Sequence, residues 1–151
     1  MTEQGTLGIF ASHAFLGALS ERHRMLLASG ARPFTAAPGE VLAREGETAN
    51  AFYLIQAGEV ALELPAGKRG VVPIQTVGAG EIVGWSWLVP PHRWQFNCRA
   101  VSKVQGLAFN AEWLREKCEL DHELGYHLFK QLLAVIASRM TATQVELLRG
   151  Q

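Results

Sequence analysis

Residues 38–64 read PGEVLAREGETANAFYLIQAGEVALEL, and this stretch shows how the middle of the chain is built. Two short apolar runs, 41–43 and 51–56, are separated by a polar turn around Gly46, and Gly58 separates the second run from a third. The third run, 60–64, alternates as a strand with one buried face does. Glycine suits the turns because it adopts positive φ at little cost. The stretch therefore predicts three short strands joined by glycine turns.

The same pattern continues on both sides, from residue 31 to residue 109. Short apolar or alternating runs recur at close spacing, and turns containing glycine or proline interrupt them. Many short strands without a long helix between them indicate an antiparallel sandwich or barrel. The predicted fold is mainly β with flanking helices, an eight-stranded antiparallel jelly-roll β-barrel. The predicted strands are 31–37, 40–43, 51–56, 59–64, 71–77, 81–83, 95–101 and 103–109.

A helical lead-in precedes the β region. Apolar residues three and four positions apart predict helix up to about residue 30, with Ser20 as a cap. Gly30 stands where a helix C-terminus favours a left-handed residue. At 151 residues the chain has the length of one domain. We therefore expect a single domain over 1–151, divided into a lead-in, 12–30, a barrel, 31–109, and C-terminal helices, 111–149.

The last predicted helix carries a narrow apolar stripe. Asn110 is the predicted cap of a helix over 111–118, and Asp121 the cap of a helix that reaches about Arg149. In this second helix apolar residues alternate in steps of four and three, as at the a and d positions of a coiled coil. A helix of about 28 residues is about 42 Å long and extends beyond a small barrel, so we expect a homodimer. The predicted interface residues are Phe129, Leu133, Ile136, Met140, Thr143 and Leu147.

Composition excludes several classes of protein. Lys and Arg together number 14, as do Asp and Glu, so the formal net charge is +0 and a nucleic-acid partner is disfavoured. Cys98 and Cys118 are too few for a cysteine-ligated zinc or iron–sulfur site. No signal peptide and no apolar run of membrane-spanning length is present in the sequence. We expect a cytoplasmic protein with no membrane partner.

No catalytic or metal-binding arrangement is predicted. Ser86, His92 and Asp121 supply the residue types of a hydrolase triad, but Ser86 lacks the surrounding glycines and Asp121 is explained as a helix cap. His122 and His127 are five residues apart, so they do not share a helix face well. We expect no enzymatic activity, no metal and no cofactor.

The order of elements and several motifs resemble the cyclic nucleotide-binding domain of the CRP/FNR regulators and of kinase regulatory subunits. The matching stretches are 15–20, 38–47, 51–60 and 78–84. In that family a short helix after a Gly-Glu pair holds the cyclic phosphate with backbone N–H groups, an Arg neutralises it, and the Glu binds the ribose. The resemblance implies a stand-alone bacterial regulatory module. Relatives that regulate transcription continue into a helix-turn-helix, so we expect no DNA-binding domain and no DNA partner here.

The segment that holds the ligand in that family departs from its pattern. It reads GWSWLVPPHRWQFNCRA over 84–100. Trp85 stands where the ribose-binding Glu is expected, and Trp87 replaces a small residue. Trp94 stands at the position of the phosphate-binding Arg, whereas Arg93 is one residue early and faces the other side of a strand. The candidate ligand-binding residues are Gly84, Trp85, Ser86, Trp87, Arg93 and Trp94.

This aromatic cluster has three interpretations. The indoles fill an emptied ligand cavity, or they stack on a nucleotide-like small ligand anchored by Arg93, or they form a docking surface for a partner protein. The expected function is a non-enzymatic, dimeric docking or small-ligand-sensing module that does not bind cAMP in the usual way. One alternative is a signalling protein that binds cAMP or cGMP. Another is an accessory subunit of a redox enzyme complex, because small stand-alone members with a similar tryptophan-rich string accompany anaerobic redox enzymes such as hydrogenases.

Overall fold

The structure, a computed structural model, describes His13 and residues 15–149. A short N-terminal helix and two C-terminal helices flank eight strands that form two four-stranded antiparallel sheets. The elements are α1 (Glu21–Ala28), β1 (Arg32–Ala36), β2 (Val41–Ala43), β3 (Ala51–Ala57), β4 (Val60–Pro65), β5 (Val71–Val77), β6 (Ile82–Val83), β7 (Asn97–Ala100), β8 (Val104–Asn110), α2 (Ala111–Leu120) and α3 (His122–Arg149).

The eight predicted strands are confirmed, but the predicted closed barrel is not. One sheet has the order β1-β8-β3-β6 and the other β2-β7-β4-β5, and in the described chain no strand pairing joins them. The edge strands β6 and β2 have only two and three residues, too few to carry hydrogen bonding around a closed barrel. The β region is therefore a roll of two facing sheets.

The three predicted helix caps are confirmed. Each is a polar side chain that accepts a backbone N–H three residues ahead, which satisfies one unpaired donor of the first turn. Residues 15–19, in the predicted lead-in, form turns rather than regular helix, and residues 12 and 14 lie outside the described chain. The capping contacts are Ser20 Oγ with His23 N (3.2 Å), Asn110 Oδ1 with Trp113 N (2.9 Å) and Asp121 Oδ1 with Leu124 N (3.2 Å).

Gly30 has a different role from the one predicted. Gly30 follows the end of α1, but its φ is not positive. The Trp113 ring packs directly against it, and a Cβ on Gly30 would lie 2.5 Å from that ring. The glycine is therefore required by the close approach of α2, not by a left-handed turn.

Buried side chains form two cores. The helix-side core lies between the three helices and the β3–β8 face, and the roll core lies between the two sheets. The segment 84–96 contributes to both cores, with Trp87 buried in the helix-side core, Trp85 packed against it, and Trp94 buried in the roll core. The helix-side core includes Leu16, Leu27, Phe52, Trp87, Leu107, Leu114, Leu124, Leu128 and Leu132, and the roll core includes Ile55, Val60, Leu62, Val83, Trp94, Cys98 and Val104.

Candidate functional site

The segment 84–96 holds all six predicted ligand-binding residues, and it contains turns rather than a helix. It begins at Gly84, whose φ of +98° is a conformation that glycine adopts readily. Residues 86–88 form a turn, closed by the Leu88 N–H donating to the Trp85 carbonyl at 3.2 Å. The short helix that the family resemblance implied is therefore absent from this described segment, and so is its row of free N–H groups.

Trp94 enters the roll core. It is 5% exposed, and its ring stacks on Tyr53 with centroids 6.4 Å apart and an interplanar angle of 20°. The Trp94 N–H donates to the Glu47 carbonyl at 2.8 Å, and the Trp94 carbonyl accepts from Gly46 N at 2.9 Å. A Cβ on Gly84 would lie 2.8 Å from the indole. The indole is thus held against the backbone at which the family resemblance places the ligand.

Arg93 faces the opposite way. Its side chain is exposed, and Nη1 donates to the Gly46 carbonyl at 2.9 Å. A single antiparallel bridge pairs Arg93 with Thr48. Neighbouring residues of an extended segment point to opposite faces, so the inward Trp94 requires the outward Arg93.

The space beside Gly84 is almost filled. A cavity of about 10 Å³, here called the Gly84 cavity, remains there, close to the smallest space that holds one water. Four of the six predicted ligand-binding residues line it, whereas Trp87 and Arg93 do not. Its lining residues are Leu62, Gly84, Trp85, Ser86, Trp94, Gln95, Phe96, Cys98 and Arg139.

Trp87 lies elsewhere than expected. The sequence places its indole where a ligand approaches the backbone, but the ring is fully buried in the helix-side core, 5.7 Å from the Phe52 ring centroid. The turn over 86–88 directs it away from the roll. Its carbonyl accepts from Arg115 Nη1 at 2.8 Å, and its Nε1 has no partner among the described residues. Trp87 therefore ties the segment to the helices.

Arg139 also lines the Gly84 cavity, and it is not among the residues predicted from the sequence. It lies on α3, is 5% exposed, and its guanidinium donates to the Ile82 carbonyl. Burial lowers its pKa from 12.5 to about 10, so it remains charged at neutral pH. Its signal in the sequence was an arginine in line with the buried Leu128 and Leu132, a polar residue within an apolar stripe.

Arg139 supplies the charge at the Gly84 cavity. Burial raises the pKa of Cys98, which lines the cavity, to about 12. This thiol is therefore neutral at pH 7. The other lining side chains are apolar or neutral, so an anion would meet one cation here but no space.

The predicted dimer stripe lies on the outward face of α3. Four of its residues are exposed, and Ile136 and Thr143 are half-buried. The adjacent face, about a quarter turn away, includes Leu124, Leu128 and Leu132 and packs into the helix-side core. Most of the stripe is thus left uncovered by its own chain, and the dimer stays a prediction. The four exposed residues are Phe129, Leu133, Met140 and Leu147.

Within His13 and 15–149, no three His, Cys, Asp or Glu side chains lie close enough to hold a metal ion. None of the helices there combines the length and apolar character that crossing a membrane requires.

Solved structures share this fold. A candidate cyclic nucleotide-binding protein of Geobacter metallireducens GS-15 has 22% identity and a TM-score of 0.79, covering 93% of this chain and 98% of its own. A cyclic nucleotide-binding domain from Methylobacillus flagellatus KT has 21% identity and a TM-score of 0.79, covering 99% and 84%. A mutant regulatory subunit of a cAMP-independent protein kinase A from Trypanosoma brucei, bound to cAMP in its A site, has 18% identity and a TM-score of 0.77, covering 99% and 52%. At these identities the similarity shows the fold alone.

Comparison of sequences identifies the family. No protein among the curated sequences matches the chain. The family model described as "Cyclic nucleotide-binding domain" matches residues 33–121, more than half of the chain and nearly the whole of the roll. The chain therefore belongs to the cyclic nucleotide-binding domain family.

Proposed function

We propose that this protein is a non-enzymatic regulatory module that acts as a homodimer and docks a partner protein, with Trp94 taking the place of a cyclic nucleotide inside the roll. The observation that carries the proposal is the Gly84 cavity, because about 10 Å³ of space admits no nucleotide. Pockets that bind small organic ligands measure roughly 300–1,000 Å³.

The groups that the family resemblance assigns to the nucleotide are also missing. Trp85 replaces the ribose-binding carboxylate, and Arg93 points to the outside of the roll. The turn over 86–88 offers no helix N-terminus to a phosphate. Each change removes one polar contact, and together they leave a nearly filled interior in which aromatic rings surround the single charge of Arg139.

The outside of the molecule supports the dimeric, docking part of the proposal. The outward stripe of α3 leaves Phe129, Leu133 and Met140 exposed, as the a and d positions of an unpaired coiled-coil helix are. Beside it a groove of about 560 Å³ runs between α3 and the loop that carries Leu88 and Pro90. Uncovered apolar surface of this kind is typical of protein interfaces.

Binding of a cyclic nucleotide is the second candidate, because it is the activity for which the family is named. The two candidate functions differ in whether the Trp94 indole leaves room for a nucleotide inside the roll. We expect that neither cyclic AMP nor cyclic GMP shifts the melting temperature of the wild-type protein or gives heat in calorimetric titration. Trp94→Ala removes the indole and is expected to cost about 3–5 kcal/mol of folding free energy.

Trp113→Ala is the matched control, since this tryptophan packs on Gly30 away from the roll. Trp94→Leu is a milder variant if the alanine protein does not fold. A rise in the wild-type melting temperature with cyclic AMP would contradict the proposal, as would a Trp94→Ala protein as stable as the wild type.

A further inference from the structure

A second cavity lies on the other side of Arg139 from the Gly84 cavity. It has a volume of about 300 Å³ and is bounded by α3, by the β5–β6 corner and by Phe15. Here it is called the helix cavity. It is large enough for a small organic molecule, and Arg139 is the one residue that lines both cavities.

The guanidinium of Arg139 forms no ion pair among the described residues, although the nearby Glu81 carboxylate acts to raise its pKa. The arginines that form ion pairs in the described chain are Arg22, Arg99 and Arg149. Arg139 is more buried than any of them, yet its guanidinium donates only to the Ile82 carbonyl among the described residues. Buried charges in proteins are nearly always paired, because an isolated one is costly. The free donors of a five-donor group facing an open cavity point to an anionic ligand, most naturally a planar carboxylate.

Gln75, which lines the same cavity, has a side-chain oxygen without a hydrogen-bond donor in the described chain. The Oε1 atom of Gln75 is buried, and no donor among the described residues reaches it. The carboxylate of Glu81 also lines the cavity, and its Oε2 accepts from Gly78 N at 3.2 Å. A ligand that satisfied Gln75 and faced Glu81 would carry an N–H donor, best a positively charged one.

The rest of the lining is mostly apolar, with Gln131 and Ser138 as two further neutral polar side chains. Phe15, Val77, Ile82 and Val135 surround the space between the polar groups. A molecule with a carboxylate, an ammonium group and a small apolar body matches all three parts of the lining.

We propose that the helix cavity is a binding site for a free apolar α-amino acid, whose carboxylate pairs with Arg139 and whose ammonium group donates to Gln75 and faces Glu81. Binding would join α3 to the β5–β6 corner, because Arg139 and Gln75 lie on different elements. The inference goes beyond the proposed function and does not depend on it, since the Gly84 cavity stays filled in either case.

Isothermal titration calorimetry on the full chain tests the site. The probes are L-valine, L-leucine and L-phenylalanine, with leucinamide, which lacks the carboxylate, and isocaproate, which lacks the ammonium group. We expect at least one amino acid to bind. Leucinamide is expected to bind about tenfold or more weakly than leucine, because the charged hydrogen bond to Arg139 is lost.

Two variants separate the polar contacts. Arg139→Met is expected to remove leucine binding, and Arg139→Lys to retain part of it. Gln75→Leu is expected to weaken leucine binding while leaving isocaproate unchanged, because isocaproate has no donor for Gln75. Arg149→Met is the control, an arginine at the exposed end of α3 outside the cavity, and should bind leucine as the wild type does.

Several results would overturn the proposal. These are an absence of heat with all three amino acids, equal affinities for leucine and leucinamide, and undiminished leucine binding by Arg139→Met. Cyclic AMP is included as a competitor. Binding of cyclic AMP that requires Arg139, without binding of any amino acid, would assign this arginine to a phosphate and would also reject the amino-acid site.

Discussion

The two faces of α3 are both rich in apolar residues but have opposite environments. The inward face, with Leu124, Leu128 and Leu132, is fully buried in the helix-side core. On the outward face Leu133 is 59% exposed and Leu147 is 63% exposed. The inward face also carries the buried Arg139, whereas the outward stripe has no charged residue in its a and d positions.

This difference shows that apolar content does not tell which face of a helix its own domain covers. A helix packed on one side normally carries a polar opposite face. The apolar stripe on the exposed side of α3 is the reason for which we propose a dimer interface there. A buried charge within the covered face lowers stability unless it is paired.

The outward face is tested most strongly by Ile136→Glu. We expect light scattering to give the dimer mass for the wild type and the monomer mass for the variant, since each uncompensated buried charge costs about 3–5 kcal/mol. Glu146→Gln, which changes a charge on the same helix outside the stripe, should leave the mass unchanged. A wild-type protein that scatters as a monomer would show that the outward stripe is not a dimer interface.

A pair of leucine truncations compares the two faces directly. Leu128→Ala removes a fully buried side chain and should lower the free energy of unfolding by about 2–5 kcal/mol. Leu133→Ala on the outward face should change it by about 0.5 kcal/mol or less. Both are measured by urea unfolding in the Ile136→Glu background, so that association does not contribute. Equal losses for the two variants would mean that the monomer buries both faces.

Arg139→Met tests the charge on the inward face. Holding the pKa of Arg139 at about 10 instead of 12.5 corresponds to about 3 kcal/mol of instability at neutral pH. Removing the charge leaves the Ile82 carbonyl unpaired, which offsets part of the gain. We therefore expect urea unfolding to show a net stabilisation of about 1–2 kcal/mol. Arg149→Met, at the exposed end of α3, should be neutral, and a destabilised Arg139→Met would contradict the assignment.

The smallest effect is expected at the start of α3. The backbone N–H of Leu124, and after it Arg22 and His23, hold the pKa of Asp121 below its usual value of 3.8. The carboxylate therefore contributes stability above pH 3.8, and this contribution is lost as the pH falls through the lowered pKa. Asp121→Asn keeps a cap but loses the charge. Urea unfolding should show that Asp121→Asn is slightly less stable than the wild type at neutral pH and equally stable in strong acid.

Much of the fold was predictable because its signals are local. Strand ends lie within one or two residues of those predicted over 31–109, since glycine turns and alternation act between neighbouring residues. The caps at Asn110 and Asp121 are equally local. Closure of the barrel was not predictable in this way, because it depends on whether strands distant in sequence pair. The role of Gly30 depends likewise on Trp113, which is more than eighty positions away.

In the candidate site, too, the features set by neighbouring residues were predictable and those set by residues distant in sequence were not. That Trp94 faces inward and Arg93 outward follows from the alternation of an extended segment, and the structure has this arrangement. The direction of Trp87 is set by a turn and by the space beside Phe52, neither of which has a sequence signature. Arg139 reaches Ile82 across 57 positions of the chain, so only the packing of α3 on the roll reveals it.

The contact between Gly84 and Trp94 restricts the order in which this domain can evolve. No side chain fits at Gly84 while the indole is present, and the backbone there favours glycine in any case. A smaller residue at Trp94, by contrast, is reached in one step and opens the interior. Any descendant that regains a ligand inside the roll must therefore change Trp94 first, and a polar residue at Trp85 becomes useful only afterwards.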